Sequence, residues 1–335
     1  MKRGNCSCRV AMFCLVAIHV DGQGRPLPHE PNLHEEPDVA RVERSIPFTK
    51  EFAGQPIPRY RNGHVVTYDA TKSRALVWDS SGKSVMDRQL ELPGASRVSI
   101  TGLAVAPDGS VVAAASVTDA SQRGSVIAWM ESSGTVRQVV VTSPFVARHL
   151  AFALDGSLWA LGRVHDNQFD DEADYPVLRR YDSRGRLAQT ALPRSSFAAG
   201  RIGPTQDSLF AVSKHRLAVV SLTAREWVEV AHSGEVVARW ALSVDPSDIL
   251  TGVGLTDQGD LFASIQRNEY GRLYRYHRDS QTLEQVDTRQ VHSAAQGFYL
   301  LGSEGDKLVC RIKPAGSLLW IRVDKTRVAE ASRVP

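Results

Sequence analysis

The chain has 335 residues, 42% hydrophobic and 23% charged, a globular balance with enough apolar material for a sizeable core, which excludes a disordered chain. Lys+Arg 40 against Asp+Glu 37 leaves a net charge of +3, too small and too dispersed to call for a nucleic-acid partner. With 25 glycines and only 7% aromatics, the composition points to many short strands joined by turns.

In chain order, residues 1–24 read as a signal peptide. Lys2, Arg3 and Arg9 supply the positive start, residues 10–20 an apolar run, and Gly22-Gln23-Gly24 a small-residue cleavage pattern. The run falls short of the ~20 apolar residues that a bilayer requires, so no membrane span is expected. The expectation is a secreted or periplasmic protein, with a cytoplasmic chain carrying an apolar leader as the alternative. Cleavage would also remove Cys6, Cys8 and Cys14, leaving Cys310 alone and no disulfide framework. Residues 25–58 hold seven of the sixteen prolines and should form an extended linker, since proline fixes φ and lacks an N–H donor. The segment from Phe48 to Phe52 could supply a strand to the domain that follows, which should span 59–335.

That domain is repetitive. Asn62-Gly63-His64-Val65, Asp108-Gly109-Ser110-Val111 and Asp155-Gly156-Ser157-Leu158 open three copies. Three further copies centre on Leu209, Leu261 and Leu308, and the aligned apolar positions step by 46, 47, 51, 52 and 47 residues. Asn-Gly and Asp-Gly are strong two-residue hairpin signals, because both central residues of a type I′ turn need φ > 0. A second strand group follows each copy, as in Ala75 to Asp79 before Ser81-Gly82 and Val126 to Trp129 before Ser133-Gly134. Four strands per repeat at this period is the arithmetic of a β-propeller blade. The expected fold is all-β: a six-bladed propeller of four-stranded antiparallel blades, with seven blades as the competitor. Trp78, Trp129, Tyr181 and Tyr276 recur at equivalent positions and should pack between blades, and Cys310 should be a buried small hydrophobe.

The segments Thr101 to Val112 and Leu150 to Trp159 resemble the NHL-type repeat and, more broadly, the gluconolactonase-like propeller superfamily. The resemblance is one of blade consensus. It implies a ring of blades whose ligands bind at the mouth where the innermost strands begin, and it covers lactonases, lyases and plain binding modules alike.

Aligning the repeats places Gly102, His149, Gly200, Gly252 and, less closely, Gly297 at equivalent positions near that mouth, so His149 is the one side chain among glycines. Arg148 adjoins it, and Arg201, His292 and Gln296 fall near the same level of other blades. Together they predict a cationic mouth in which arginine offers a planar fork to an anion and His149 could act as general base. No carboxylate occupies the aligned positions, which argues against an oxygen-ligand metal, and the three histidines that zinc chemistry needs are not assembled. The acidic loop carrying Asp166, Asp170, Asp171, Glu172 and Asp174 is the one place for a calcium ion; otherwise no cofactor is expected. The sequence thus points to a binding or interaction module without chemistry of its own, whose partner is a protein or a small anionic ligand. The alternative is a lactone hydrolase or lyase acting on an anionic substrate at the channel mouth.

Overall fold

Apolar strands separated by tight turns fold back on one another, and the outcome is six separate four-stranded antiparallel sheets. The computed structural model describes residues 37–50, 58–106, 108–119, 123–164, 174–197, 208–221, 223–244, 248–267, 270–291, 297–313 and 316–325. All of them belong to one compact unit, Pro37–Arg327. The predicted leader and the first part of the predicted linker lie outside the described residues, as does the acidic loop except Asp174.

The innermost strands are Arg59–Arg61 (blade I), Arg97–Val105 (II), Phe145–Phe152 (III), Ser208–Val212 (IV), Ile249–Leu255 (V) and Gly297–Glu304 (VI). Blades contact their sequence neighbours, and blade VI contacts blade I, which makes a closed six-bladed β-propeller rather than a seven-bladed one. The buried apolar side chains form six clusters, and each cluster lies between two adjacent blades. A single sheet has two apolar faces, and only the ring covers both. Trp78, Trp129, Tyr181 and Tyr276 all sit in these clusters, and Cys310 is wholly buried in one, with burial pushing its thiol well up.

The ring is closed by the amino-terminal part of the unit. Strand Val39–Pro47 pairs antiparallel with Ser317–Asp324 and becomes the outermost strand of blade VI. The closing strand is therefore Val39–Pro47 and not Phe48 to Phe52, and the propeller begins well before residue 59. The physical reason is local: the strand interior is free of proline, and Pro47 ends it on an outer edge, where a missing N–H leaves no ladder bond unmade. Asp38 anchors the start by taking Arg275 Nη1 at 2.6 Å, while Arg275 Nη2 reaches Asp260 at 2.6 Å.

The hairpin turns differ in a way the dipeptides did not separate. Asn62 (φ 46°) and Gly63 (φ 76°) are both left-handed, as a type I′ turn demands. In blade II only Gly109 is left-handed: its N–H donates to Ala106 O at 2.9 Å, and the Asp108 carboxylate accepts from Ser110 N at 2.9 Å and Ser110 Oγ at 2.6 Å. Blade III repeats this with Asp155, Gly156 and Ser157. Aspartate acts there as the turn's cap, not as a left-handed residue.

Two substitutions test the closure. Ala40→Asp puts an unpaired carboxylate into the wholly buried interface of blades V and VI, and should cost about 3–5 kcal/mol. Gly252→Ala directs a Cβ into the Leu300 carbonyl of the next blade, and should cost about 1–3 kcal/mol. Urea denaturation midpoints relative to the unaltered chain measure both.

Candidate functional site

Four innermost strands share one irregularity. Each skips a residue in its pairing register, at Thr101, Arg148, Thr251 and Leu301, directly before Gly102, His149, Gly252 and Gly302. A bulge of this kind turns a strand and re-aims a side chain. The sequence alignment of Gly102, His149 and Gly252 is therefore correct, whereas the blade VI equivalent is Gly302; Gly297 only starts its strand. Gly200 lies outside the described residues. The glycines have a reason. A Cβ on Gly102 would strike the Arg148 carbonyl, one on Gly252 the Leu300 carbonyl, and one on Gly302 the Tyr60 carbonyl, each in the following blade. His149 holds the equivalent position in blade III and borders the channel.

The bulges bring backbone carbonyls to the channel, and blade I fills the space with arginine. Arg59 Nη1 donates to Thr251 O of blade V at 3.1 Å, and Tyr68 OH donates to Thr101 O of blade II at 2.9 Å. Arg61 spans the axis: its Nη2 donates to Phe210 O of the opposite blade IV at 2.6 Å and its Nη1 to Tyr60 O at 2.8 Å. Above this septum, toward the mouth where the strands begin, lies a cavity of about 40 Å³ bounded by Arg59, Arg61, Tyr68, Leu103, Arg148 and His149. That space suits one small oxyanion group or a few waters.

No ion pair joins Arg59, Arg61, Arg148 or Arg163 to a carboxylate among the described residues. The Nε–H groups of Arg61, Arg148 and Arg163 are buried without an acceptor. Burial pushes Arg59 and Arg61 down to about 10, and for Arg61 the neighbouring Arg59 charge adds to it. Arg148 is lowered by burial and then by Arg163 and Arg123, with Tyr68 opposing. Burial raises the Tyr68 phenol, against the pull of Arg148 and Arg59. Cation crowds cation here with only neutral carbonyls as partners, an arrangement that an anion would complete.

Of the residues expected at the mouth, the structure brings Arg148 and His149 to one cavity. Arg201, His292 and Gln296 lie outside the described residues. Arg59, Arg61 and Tyr68 escaped the sequence reading. The signal for two of them was an i, i+2 pair of arginines on the strand before Asn62-Gly63, in a column compared only at the bulge. His64 stays in its turn, with Nδ1 2.7 Å from Asn62 O. Asp174 takes Ser195 N at 3.0 Å and Ser195 Oγ at 2.7 Å, so it caps the short turn Arg194–Ser196; Asp166, Asp170, Asp171 and Glu172 are not among the described residues. Among the described residues, no three His, Cys, Asp or Glu side chains are gathered as metal ligands would be, and no helix is long and apolar enough to cross a membrane.

The channel and blades define a class, the six-bladed β-propellers, and solved structures agree. No family profile and no curated protein matches the chain. Similar folds include a provisionally named exported protein of Bacteroides fragilis (TM-score 0.53, 13% identity, 86% of this chain and 96% of that one). Another is a protein of unknown function from Dyadobacter fermentans (TM-score 0.50, 8% identity, 85% and 99%). A third is the calcium-binding protein regucalcin of Agrobacterium tumefaciens (TM-score 0.48, 13% identity, 87% and 96%). At these identities the likeness is one of fold alone.

The crowded guanidinium pair carries a pH signature. Folding holds Arg59 and Arg61 at about 10, below the ordinary arginine range, so the unfolded chain binds those protons more tightly. Stability should therefore be reduced at neutral pH and recover as pH rises through about 10 and beyond. Urea midpoints of the unaltered chain minus those of an Arg59→Met/Arg61→Met variant, compared at about pH 9 and about pH 11, should show this recovery; a flat difference would contradict it.

Proposed function

We propose that this propeller is a binding module, without chemistry of its own, that holds a small anionic ligand on the arginines above the channel septum and acts outside the cytoplasm. The observation that carries the reading is the buried Nε–H of Arg148 and that of Arg61, both without an acceptor, beside a cavity bounded by three guanidinium groups. Guanidinium offers an oxyanion two parallel donors in one plane, and the surrounding carbonyls orient it without neutralising it. Location outside the cytoplasm is supported by the composition of residues 1–24 and by a mature chain left with one cysteine.

Thermal unfolding in low-salt buffer with added sulfate, phosphate or gluconate tests the reading. The midpoint should climb with the logarithm of anion concentration, a stabilisation of about 2.7 kcal/mol at a hundred times Kd. Arg148→Ala should abolish the climb, and Arg148→Lys should keep part of it, because an ammonium lacks the planar fork. No climb in the unaltered chain, or an equal climb in Arg148→Ala, would refute it.

The second reading, a lactone hydrolase or lyase, draws on the placement of His149 beside Arg148 in the same cavity. It predicts turnover of an anionic lactone or sugar acid that is lost in His149→Ala while anion stabilisation persists. Fractionation of expressing cells, with sequencing of the mature amino terminus, tests export: a start at or near residue 25 is expected.

A further inference from the structure

The septum has a second side. At the opposite mouth, where the hairpin turns between first and second strands gather, a solvent-open cup of about 440 Å³ lies below Arg61. Its volume falls in the ~300–1,000 Å³ range of small-molecule sites, and five of the six blades contribute to its wall. The chemistry is divided by sector. Arg61 is the floor, a guanidinium held in place by donating Nη1 to Tyr60 O and Nη2 to Phe210 O. Blades V and VI supply carboxylates, Asp257 and Glu304. Blade III, across the axis from blade VI, supplies hydrocarbon from Phe152 and Leu154, with Leu154 67% exposed on the rim, and blade IV adds Val212 together with Ser213 and the cation Lys214.

The carboxylates are held in place by neutral donors. Glu304 accepts from Tyr60 OH at 2.9 Å and from Trp320 Nε1 at 2.6 Å; Asp257 accepts the Lys214 backbone N–H at 2.8 Å. Donors of that kind fix an acceptor without supplying a counter-cation, and each carboxylate oxygen retains a further lone pair. The ligand that matches a cationic floor, an anionic sector and a facing apolar sector carries an anionic group, a cationic group and a hydrocarbon body on one small frame.

We propose that the cup is a second binding site, separate from the anion cavity above the septum and sharing only Arg61 with it, and that it takes a zwitterion with an apolar side chain, in chemical class a free apolar α-amino acid. The carboxylate lies on Arg61, the ammonium faces Asp257 and Glu304, and the side chain covers Leu154 and Phe152.

Isothermal titration calorimetry of the full chain with L-phenylalanine, 3-phenylpropionate and 2-phenylethylamine tests this. Phenylalanine should bind saturably at one site, and each of the other two, lacking one charge, should bind about ten-fold more weakly or worse, a loss of about 1.4 kcal/mol. Leu154→Glu, on the exposed rim, should remove phenylalanine binding while leaving the sulfate-induced thermal stabilisation intact. Asp257→Asn, which keeps an acceptor for the Lys214 amide, should weaken phenylalanine but not 3-phenylpropionate. Arg148→Ala should lose the sulfate response and keep phenylalanine, so failure of the anion reading and failure of this one give different results. Absent saturable binding of phenylalanine, unchanged binding in Leu154→Glu, or 3-phenylpropionate binding as tightly as phenylalanine would each overturn the proposal.

Discussion

Every blade is a sheet with two apolar faces, and the packing of face against face is the constraint from which the rest follows. Six interfaces, each with its own cluster of buried side chains, replace a single central core. Such a ring is stable only when the last interface forms, because an open arc would expose one whole apolar face at each end. The pairing of Val39–Pro47 with Ser317–Asp324 meets that need with the least suitable stretch by composition, a strand bracketed by prolines. It succeeds because an outermost strand needs hydrogen bonds on one side only.

Close packing at the axis then fixes what the channel can hold. Bulges in four innermost strands bring carbonyls inward, and glycines beside them let adjacent blades approach. Blade I is different again: its innermost strand has three residues, two of them arginines, and their long side chains cross the space that longer strands fill elsewhere. Desolvated charge without counter-charge is costly. That cost is concentrated at the channel axis, on Arg59 and Arg61.

The fold was legible because its signals are local. Glycine after asparagine or aspartate, an apolar strand behind it, and a period of about 46 to 52 residues suffice to count blades. The closing strand was not, because proline content was averaged over residues 25–58 and its proline-free interior was hidden by Pro37 and Pro47. Half of the channel was legible: Arg148 and His149 stand out in a column of glycines. Arg59 and Arg61 did not, since their role depends on carbonyls of Thr251 and Phe210, about 150 to 190 residues away in sequence, and no spacing rule relates them. The cup at the turn mouth was hidden for the same reason. Its residues belong to hairpin turns of separate repeats, where composition reads as turn chemistry alone.

Arg61 is anchored on both sides of the axis, to Tyr60 of its own blade and to Phe210 of the blade opposite, and it bounds both cavities. Among the described residues Arg61 therefore stands between the two cavities, so that molecules held at the two mouths would face each other across one guanidinium group.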